Sequence, residues 1–231
     1  THSHGQGHDT IYAQMLSEWL GVPFESIMVV QGDTDRVPFG RGTFGSRSMV
    51  NGGSALRAAS DDVVAKGRRL AAHLLEAAPE DIAFNDGKFA VAGTDRAIAL
   101  IDVAKASFAP MGPGAEFGLG LEGTGTFTPK LQNFPNGCHV CEVEVDPETG
   151  DVDILAYTAV DDVGRAINPL LLGGQVHGGI AQGVGQALME NLVYDDKTGQ
   201  LLAASFLDYC MPRADDLPSI KVGHHDVPSK G

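Results

Sequence analysis

The chain is poor in the residues that characterise disulfide-rich, membrane-spanning and nucleic-acid-binding proteins. Only 3 of its 231 residues are cysteine, which is too few for a disulfide framework and favours a reducing compartment. It has no apolar run of about 18 residues and no signal-peptide pattern, so the sequence predicts neither a membrane span nor export. The 16 Lys and Arg against 30 Asp and Glu give a net charge of -14, which argues against a nucleic-acid partner.

Glycine is the residue that the chain has in excess. Its 30 glycines fall in clusters at residues 5–7, 40–53, 112–125 and 173–185 rather than in one low-complexity tract. Such clusters are typical of loops that contact a ligand or another chain segment. Because 43% of the residues are hydrophobic, the chain can also bury a sizeable core.

The densest glycine cluster, residues 173–188, has a helical pattern and follows a turn-like Asn168-Pro169. A glycine inside a helix costs about 1 kcal/mol relative to alanine, so this density indicates the close approach of a ligand or of another helix. Gln175 and Gln182 lie on nearly one helical face, where their amide groups could contact an organic cofactor. A tight helix crossing without any ligand is the alternative explanation.

The chain opens on a loop rich in histidine and glycine that leads into a helix. Apolar residues at spacings of three and four predict this helix at residues 10–20, with Asp9 as its cap. Residues 5–8 then lie at a helix N-terminus, where unpaired N–H groups and the helix dipole favour phosphate or another anion. His2, His4 and His8 form a metal cluster in one interpretation and are solvated side chains in the other.

A second loop of the same kind follows an apolar segment. Residues 26–31 have the pattern of a buried strand, and residues 38–48 form a glycine-rich loop that leads into a long helix. Ser46, Arg47 and Ser48 stand at the start of that helix, where hydroxyl groups and a guanidinium can bind phosphate oxygens. Without a ligand, the serines would cap the helix and Arg47 would form a surface ion pair.

The rest of the sequence predicts small antiparallel sheets. Hairpins are predicted at residues 82–91, 138–160 and 192–203, a short helix at residues 98–107, a long connector at residues 108–137 and a last strand at residues 220–223. Cys138 and Cys141 should face opposite sides of their strand, so we do not interpret this C-x-x-C pair as a metal motif.

Together these elements predict a mixed α/β fold of the α+β class. Long helices at residues 10–20, 48–77 and 173–190 should pack on sheets, at least one of which lacks some of its strands. Unpaired sheet edges favour self-association of the chain. We expect two domains, residues 1–110 and residues 111–231.

Six short motifs occur in a fixed order along nearly the whole chain. They are Gly-Gln-Gly-His-Asp-Thr (5–10), Gly-Asp-Thr-Asp (32–35), Gly-Thr-Phe-Gly-Ser-Arg-Ser (42–48), Asp-Asp-Val-Gly (161–164), Gly-Gln-Val-His-Gly-Gly-Ile-Ala-Gln-Gly (174–183) and Asp-Tyr-Cys-Met-Pro-Arg-Ala (208–214). In wording and order they resemble the molybdenum hydroxylases of the xanthine oxidase family, above all the large subunit of aerobic-type carbon monoxide dehydrogenase. The resemblance identifies a C-terminal cofactor-binding part of that subunit but not a substrate.

This resemblance implies a catalytic subunit that binds a molybdopterin cofactor, in bacterial members usually molybdopterin cytosine dinucleotide. Such enzymes hydroxylate a small-molecule substrate with water-derived oxygen, or oxidise carbon monoxide. Electrons pass through 2Fe-2S clusters on an iron-sulfur small subunit to FAD on a medium subunit. The resemblance also implies a homo-oligomer of the large subunit and a cytoplasmic location, with the inner face of the membrane as an alternative. The two expected domains would be a first and a second molybdopterin-binding subdomain.

Carried over residue by residue, the resemblance implies a set of cofactor contacts. These are Gln6, Gly7 and His8 at the metal-pterin end; Ser46, Arg47 and Ser48 at the pyrophosphate; Asp162, Gln175 and Gln182 at the pterin or nucleotide; and Thr10, Asp33, Thr34 and Gly45 in the same motifs. No residue of the chain is expected to ligate the metal.

Two features of the family are expected outside this chain. The family's general-base glutamate lies in a Gly-x-Gly-Glu motif shortly after a Pro-Ser-Lys-Gly-like stretch, and the chain stops at Gly231, directly after Pro228-Ser229-Lys230. We therefore expect this glutamate beyond Gly231 and the isolated piece to be inactive. The loop whose cysteine binds copper in carbon monoxide dehydrogenases belongs to an earlier part of the subunit, which leaves copper open. A cofactor-free homologue that acts as a scaffold or assembly module is the alternative function.

Overall fold

The protein folds into two units of the α+β class, which is the predicted class. The computed structural model describes residues 1–37, 39–109, 117 and 119–228, and the two units are Thr1–Gln132 and Asn133–Lys230. The domain boundary expected between residues 110 and 111 lies outside the described residues. Among the described helices, none has both the length and the apolar character that crossing a bilayer requires.

The described part of the first unit combines three α-helices with a small antiparallel sheet. Its elements are α1 (His8–Leu20), a 3-10 turn (Phe24–Ser26), a π-helical turn (Ser48–Gly53), α2 (Ser54–Leu74), a second 3-10 turn (Pro79–Asp81), β1 (Ile82–Asn85), β2 (Lys88–Val91), β3 (Ala97–Ala99) and α3 (Leu100–Ala106). The hairpin predicted at residues 82–91 is confirmed as β1 and β2. Its turn residues Asp86 and Gly87 have φ values of 44° and 69°, as a type I′ turn requires.

The core of the first unit forms where α2 packs against the sheet and α3. Leu70, Phe89 and Val103 are at most 1% exposed and belong to this core. Gly67 allows the close packing, because a β-carbon at this position of α2 would lie 2.9 Å from Phe89 Cε2. The Phe89 ring cannot easily move away, since it packs on Phe84 with 4.7 Å between the ring centroids.

The second unit is a mixed sheet that carries one long helix. Its elements are β4 (Asn136–Val145), β5 (Val152–Asp162), α4 (Pro169–Leu188), a 3-10 turn (Ala214–Asp216) and β6 (Ile220–His224). β5 lies between the other two strands, antiparallel to β4 and parallel to β6. Ala159 of β5 is completely buried in a cluster with Ile180 and Val184 of α4. The strand pair predicted at residues 138–160 and the last strand are thus confirmed.

Two helices of the first unit differ from the prediction. α1 begins at His8 with Gly7 as its N-cap, so Asp9 lies in the first turn and is not the cap. Gly7 can take this place because it adopts the left-handed conformation, with φ of 73°. The helix predicted at residues 48–77 opens as a π-helical turn and ends at Leu74.

α4 begins earlier than predicted, and the reason is the dipeptide that we interpreted as a turn. Asn168 is the N-cap, and its Oδ1 accepts a hydrogen bond of 3.1 Å from Leu171 N. Pro169 occupies the first helical position, where its fixed φ is favourable and its missing N–H costs nothing. Asn168-Pro169 is therefore a helix start.

Three predictions on strands need correction. Ser26 belongs to a 3-10 turn, and residues 27–31 pair with no strand in the described part of the chain. An apolar run indicates burial but not a hydrogen-bonded partner, which is why the sequence alone suggested a strand there. The hairpin expected at residues 192–203 is reduced to one bridge between Tyr194 and Leu201. The short strand β3 replaces the start of the helix predicted at residues 98–107.

The connection between β5 and α4 is held by the segment that follows β6. Ala166 N donates to Asp226 Oδ2 at 3.1 Å, and Val227 N donates to Asp162 Oδ1 at 3.1 Å. The carboxylates of Asp226 and Asp162 thus accept hydrogen bonds from backbone N–H groups that lie outside helices and strands. The conformation of this connection therefore depends on residues that lie 60 and 65 positions further along the chain.

We expect Gly67→Ala to lower the free energy of unfolding of the first unit by up to about 2 kcal/mol. Overpacking a rigid core costs about 1–3 kcal/mol and outweighs the gain in helix propensity of about 1 kcal/mol. Urea denaturation followed by the fluorescence of Trp19, the single tryptophan, which lies in α1, measures the change. In the double variant with Phe89→Leu the two changes should partly compensate. An increase in stability on Gly67→Ala alone would contradict this account of the core.

The Asp226 carboxylate should stabilise the second unit only while it is ionised. The N–H of Ala166, together with His224 Nδ1 at 2.7 Å, holds the pKa of Asp226 below its ordinary value. A carboxyl group with a lowered folded-state pKa contributes stability above its unfolded pKa of about 3.9, and this contribution is lost as the pH falls through the folded-state pKa. Asp226→Asn should therefore be less stable than the wild type at neutral pH, and the difference should shrink below a pH of about 4.

Urea denaturation followed by circular dichroism, at neutral pH and at a pH of about 3, tests this expectation. Asp196→Asn, at an exposed carboxylate in the turn between Tyr194 and Leu201, is the matched control and should show a small effect on stability at neutral pH. A destabilisation by Asp226→Asn that is the same at both pH values would exclude a role for the charge.

Candidate functional site

Three loops of the first unit meet at the start of α1. His2 N donates to Thr43 Oγ1 at 3.1 Å, which joins the first residues to the loop before α2. Ser3 N donates to Gln31 Oε1 at 2.9 Å, which joins them to the extended segment after the first 3-10 turn. The structure therefore brings together three of the motifs that the sequence analysis selected.

The start of α1 has backbone N–H groups that no capping side chain occupies. Gly7 is the N-cap and has no side chain, while the Gln6 side chain turns back so that its Oε1 accepts a hydrogen bond from His4 N. Asp9 and Thr10 are exposed in the first turn. A helix start of this kind can bind an anion through its free N–H groups and its dipole.

His8 is the buried polar residue of this helix start. It is 4% exposed, and its Nδ1 lies 3.2 Å from Gln31 Oε1. Its ring packs beside Tyr12, with 5.2 Å between the ring centroids. Burial raises the pKa of Tyr12, and a hydrogen bond with Thr1 opposes this shift. Tyr12 OH donates to Ser48 O at 2.9 Å, so this buried group also anchors the start of the helix that follows the second loop.

The second loop presents Ser46, Arg47 and Ser48 in a defined backbone conformation. Gly45 and Ser46 have φ values of 58° and 55°, in the left-handed region, and Arg47 follows in the right-handed helical region. Ser46 and Arg47 thus form a left-handed and right-handed pair, which is the backbone arrangement of many anion-binding concavities, and Arg47 N itself donates to Phe44 O at 3.4 Å. No side chain of the described residues caps the helical turn that begins at Ser48.

Arg47 does not form the surface ion pair that was its alternative explanation. Its Nη1 donates to Gly42 O at 3.1 Å, and its guanidinium lies 5.0 Å from the centroid of the Phe44 ring. Among the residues that the structure describes, no salt bridge includes Arg47. Ser48 is not a free cap either, because its Oγ donates to Thr43 Oγ1 at 3.1 Å.

Asp33 and Thr34 line a cavity next to these loops. The cavity has a volume of about 230 Å³ and is lined by Thr1, His2, Gly32, Asp33, Thr34, Val37, Gly40 and Gly42. The Asp33 carboxylate is partly used within its own turn, since its Oδ1 accepts a hydrogen bond of 3.0 Å from Asp35 N. Thr34 is exposed, so its hydroxyl group is the more accessible of the two.

In the second unit, the Asp162 carboxylate accepts hydrogen bonds from two backbone segments. Its Oδ1 accepts hydrogen bonds from Gly164 N at 2.9 Å and from Val227 N at 3.1 Å. The side chain thereby shapes the connection that leads into α4. We expected a direct cofactor contact at Asp162, but this oxygen already holds the loop, and any such contact would have to use the other oxygen or the loop backbone.

Five of the six glycines of α4 face open space within the described part of the chain. At Gly173, Gly174, Gly178, Gly179 and Gly183, no described atom lies within 4 Å of where a β-carbon would be. Gln175 and Gln182 are exposed on the same helix. The tight helix crossing that was the alternative explanation is therefore absent from the described residues.

One edge of this glycine face borders an apolar groove of about 380 Å³ within the second unit. The groove is lined by β4 and β5 on one side and by Gly179, Gly183 and neighbouring residues of α4 on the other. Unlike α1, α4 does not offer a free helix start, because the side chain of Asn168 caps it. Any ligand of α4 must contact the flank of the helix.

Metal ligation by protein side chains has no geometric basis in the part of the chain that the structure describes. No group of three His, Cys, Asp or Glu side chains in that part is placed to hold a metal ion. His2 and His4 stack edge to face, with 4.6 Å between the ring centroids, while His8 is buried against Gln31. Cys138 and Cys141 are both exposed free thiols on β4.

The residues that join these loops are not among those predicted from the sequence. Gln31 and Thr43 each receive hydrogen bonds from two separate segments, and Tyr12 links α1 to Ser48. Gln31 directly follows the apolar segment at residues 27–30, and a polar residue in that position was the available signal. Of the predicted contacts, those from Gln6 to Ser48 lie in the first unit, and Asp162, Gln175 and Gln182 lie in the second.

Comparison with known proteins shows the family to which the chain belongs. Residues 1–218 match the family described as the molybdopterin cofactor-binding domain. The chain is 35% identical to the carbon monoxide dehydrogenase large chain of Afipia carboxidovorans, over 100% of this chain and 29% of that protein. It is 40% identical to the nicotine 6-hydroxylase large subunit of Paenarthrobacter nicotinovorans, over 98% of this chain and 28% of that protein.

A solved structure has the same fold over the whole chain. The crystal structure of a Cu,Mo-containing CO dehydrogenase in its carbon monoxide reduced state superposes with a TM-score of 0.86 at 35% identity, covering 100% of this chain and 29% of that one. The chain thus spans less than a third of the length of these relatives. The loops at the start of α1, the Ser46 loop and α4 belong to a molybdopterin cofactor-binding domain, and the chain is a member of the molybdenum hydroxylase family.

Proposed function

We propose that this chain forms part of the molybdopterin dinucleotide site in the large subunit of a molybdenum hydroxylase. The start of α1 and the Ser46 loop would hold phosphate and pterin oxygens through backbone N–H groups. α4 would lie along the cofactor with its glycine flank. The cofactor, when bound, supplies the two-electron oxidation chemistry at molybdenum, while the residues of this chain bind and orient it.

The observation that carries this proposal is the open glycine flank of α4. Each glycine in a helix costs about 1 kcal/mol relative to alanine, so five of them with no neighbour in the described chain need an external reason. Bare backbone lets a flat ligand or a further protein segment come into van der Waals contact. Gln175 and Gln182, exposed on the same helix, can donate to and accept from heterocycle edges.

The geometry of the first unit fits an anionic, phosphate-bearing group. Free N–H groups at the start of α1, the left-handed residues Gly45 and Ser46 and the Arg47 guanidinium all favour negative charge. These groups act locally, so a chain with a net charge of -14 can still bind a dinucleotide. We propose molybdopterin cytosine dinucleotide as the form that is bound.

We further propose that the full-length enzyme oxidises a small molecule, with carbon monoxide, an aldehyde or an N-heterocycle as the candidate classes. Electrons would leave through 2Fe-2S clusters and FAD on partner subunits. The large subunit would form a homo-oligomer in the cytoplasm. Two unpaired strand edges, at β4 and β6 of the described sheet, are available for contacts with other chains or other parts of the subunit.

We expect Arg47→Ala and Gln175→Ala to lower the molybdenum content of the full-length enzyme. For Arg47, loss of a charge-assisted hydrogen bond costs about 1.5–3 kcal/mol, which weakens binding by about tenfold or more, and for Gln175 loss of a neutral hydrogen bond costs about 0.5–1.5 kcal/mol. Molybdenum analysis and the release of CMP from the denatured enzyme measure the effect. Arg57→Ala is the matched control, because Arg57 is an exposed arginine that packs over Trp19 and pairs with Asp61.

The same measurements separate the two candidate functions. If the protein is a scaffold or assembly module without cofactor, the full-length wild type should contain no molybdenum and no CMP. Neither substitution should then affect assembly of the enzyme. Molybdenum and CMP in the wild type that fall in Arg47→Ala but not in Arg57→Ala support the proposed site. Their absence from the wild type would refute it.

Gly178→Ala should act in opposite directions on stability and on cofactor binding. In the 231-residue chain it should stabilise α4 by about 0.5–1 kcal/mol, because open space surrounds this position and alanine is the better helix former. In the full-length enzyme it should lower molybdenum content, since a methyl group would stand between the helix and the cofactor. Urea denaturation and metal analysis give the two readouts.

Gly185→Ala in the same helix is the control for this prediction. A β-carbon there would lie 2.7 Å from Pro212 Cγ, so this variant should be destabilised in the 231-residue chain itself. If Gly178→Ala raises stability and leaves molybdenum and CMP unchanged, the flank of α4 does not contact the cofactor.

A further inference from the structure

We propose that Gln31 is a positioning residue that holds neutral His8 with its proton on Nδ1, so that Nε2 is presented as a hydrogen-bond acceptor. The ring then suits a ligand group that donates an N–H or O–H, such as the amino or amide edge of a heterocycle. It does not suit a phosphate oxygen. The proton position follows from the chain alone, whereas the nature of the ligand rests on the proposed function.

The orientation of the Gln31 amide is fixed by a backbone group. Ser3 N lies 2.9 Å from one end of this amide, and because a backbone N–H can only donate, that end must be the oxygen. The other end is then the amide nitrogen, which donates to Thr1 Oγ1 at 3.2 Å. The Ser3 contact alone requires this orientation, since the Thr1 hydroxyl can donate as well as accept, and it removes the usual uncertainty between the two ends of a glutamine.

The proton position on His8 follows from this orientation. His8 Nδ1 lies 3.2 Å from Gln31 Oε1, and a carbonyl oxygen can only accept a hydrogen bond. Nδ1 must therefore carry the proton. In a neutral imidazole only one nitrogen is protonated, so Nε2 keeps its lone pair and acts as an acceptor.

The ring cannot easily rotate by 180° about its Cβ–Cγ bond, which would put Cδ2 in the place of Nδ1. His8 is 4% exposed, and its ring packs 5.2 Å from the Tyr12 ring, which is itself 3% exposed. Tyr12 is held in turn by its hydrogen bond to Ser48 O, at 2.9 Å. Because the ring packs on Tyr12 and is hydrogen-bonded at Nδ1, it has one orientation. A hydrogen bond to the second ring nitrogen fixes the tautomer and orientation of a metal-ligating histidine in the same way.

Histidine tautomers can be read directly by NMR. We would label the 231-residue chain with ring-15N histidine, record long-range 1H–15N spectra above pH 8 without added cofactor, and assign His8 by its loss in His8→Gln. We expect Nδ1 to carry the proton in the wild type, whereas a solvent-exposed histidine in the same spectrum should favour Nε2–H. A His8 ring protonated on Nε2 would overturn the proposal at once.

Substitutions at Gln31 separate positioning from general loop stability. Gln31→Leu removes the acceptor and should lower the ratio of the Nδ1–H to the Nε2–H form by about tenfold, as expected for one lost hydrogen bond. Gln31→Glu keeps an acceptor at this place and should retain Nδ1–H. Thr43→Val is the matched control: it removes the bond from His2 N and loosens the same loops without touching His8.

Each outcome decides the proposal. An unchanged tautomer in Gln31→Leu, or the same change in Thr43→Val, means that Gln31 does not set the proton position. If Gln31→Leu does not fold, the wild type and Gln31→Glu carry the test, and loss of Nδ1–H in Gln31→Glu contradicts the proposal. Because no cofactor is present in these samples, failure here leaves the molybdenum and CMP measurements untouched.

Discussion

The loops of this protein depend on a few side-chain oxygens that each accept more than one hydrogen bond. Backbone N–H groups outside helices and strands still need partners, and here single side chains supply them. Gln31 Oε1 serves Ser3 N and His8 Nδ1, and Asp162 Oδ1 serves Gly164 N and Val227 N. Each of these oxygens connects segments that are distant in sequence. The positions of the candidate cofactor contacts are consequences of these connections.

Glycine has two different roles in the two units. In the first unit, Gly67 leaves no room for a side chain because Phe89 occupies the space beside it. Gly21 at the end of α1 leaves no room for one because Gly87 of the β1–β2 turn lies against it. In α4, every glycine except Gly185 lacks such a neighbour within the described residues. The first kind is explained by packing inside the unit, and the second indicates a contact that this chain alone does not complete.

A chain with a negative net charge can bind an anion because anion binding depends on groups close to the ligand. A net charge of -14 disfavours long-range attraction of an anion, and it made nucleic acid an unlikely partner. N–H groups at helix starts and in left-handed loop residues act over short distances and need no net positive charge. Arg47, held by Gly42 O and the Phe44 ring, adds one oriented cation to this set.

The sequence by itself determined the fold class, the hairpin at β1 and β2, the strand pair at β4 and β5 and the membership of the molybdenum hydroxylase family. Periodicity and turn residues encode the structural features because they reflect contacts between residues that are close along the chain, whereas the family follows from the resemblance of the six motifs. Only the tertiary structure decided that Asn168-Pro169 starts α4, that residues 27–31 find no strand partner within the described residues, that Asp162 is a loop anchor and that Gln31 orients His8. These features depend on partners outside any local pattern, such as the hydrogen bonds of Gln31 and Asp162 with separations of 28 and 65 residues, which no local pattern of residues specifies.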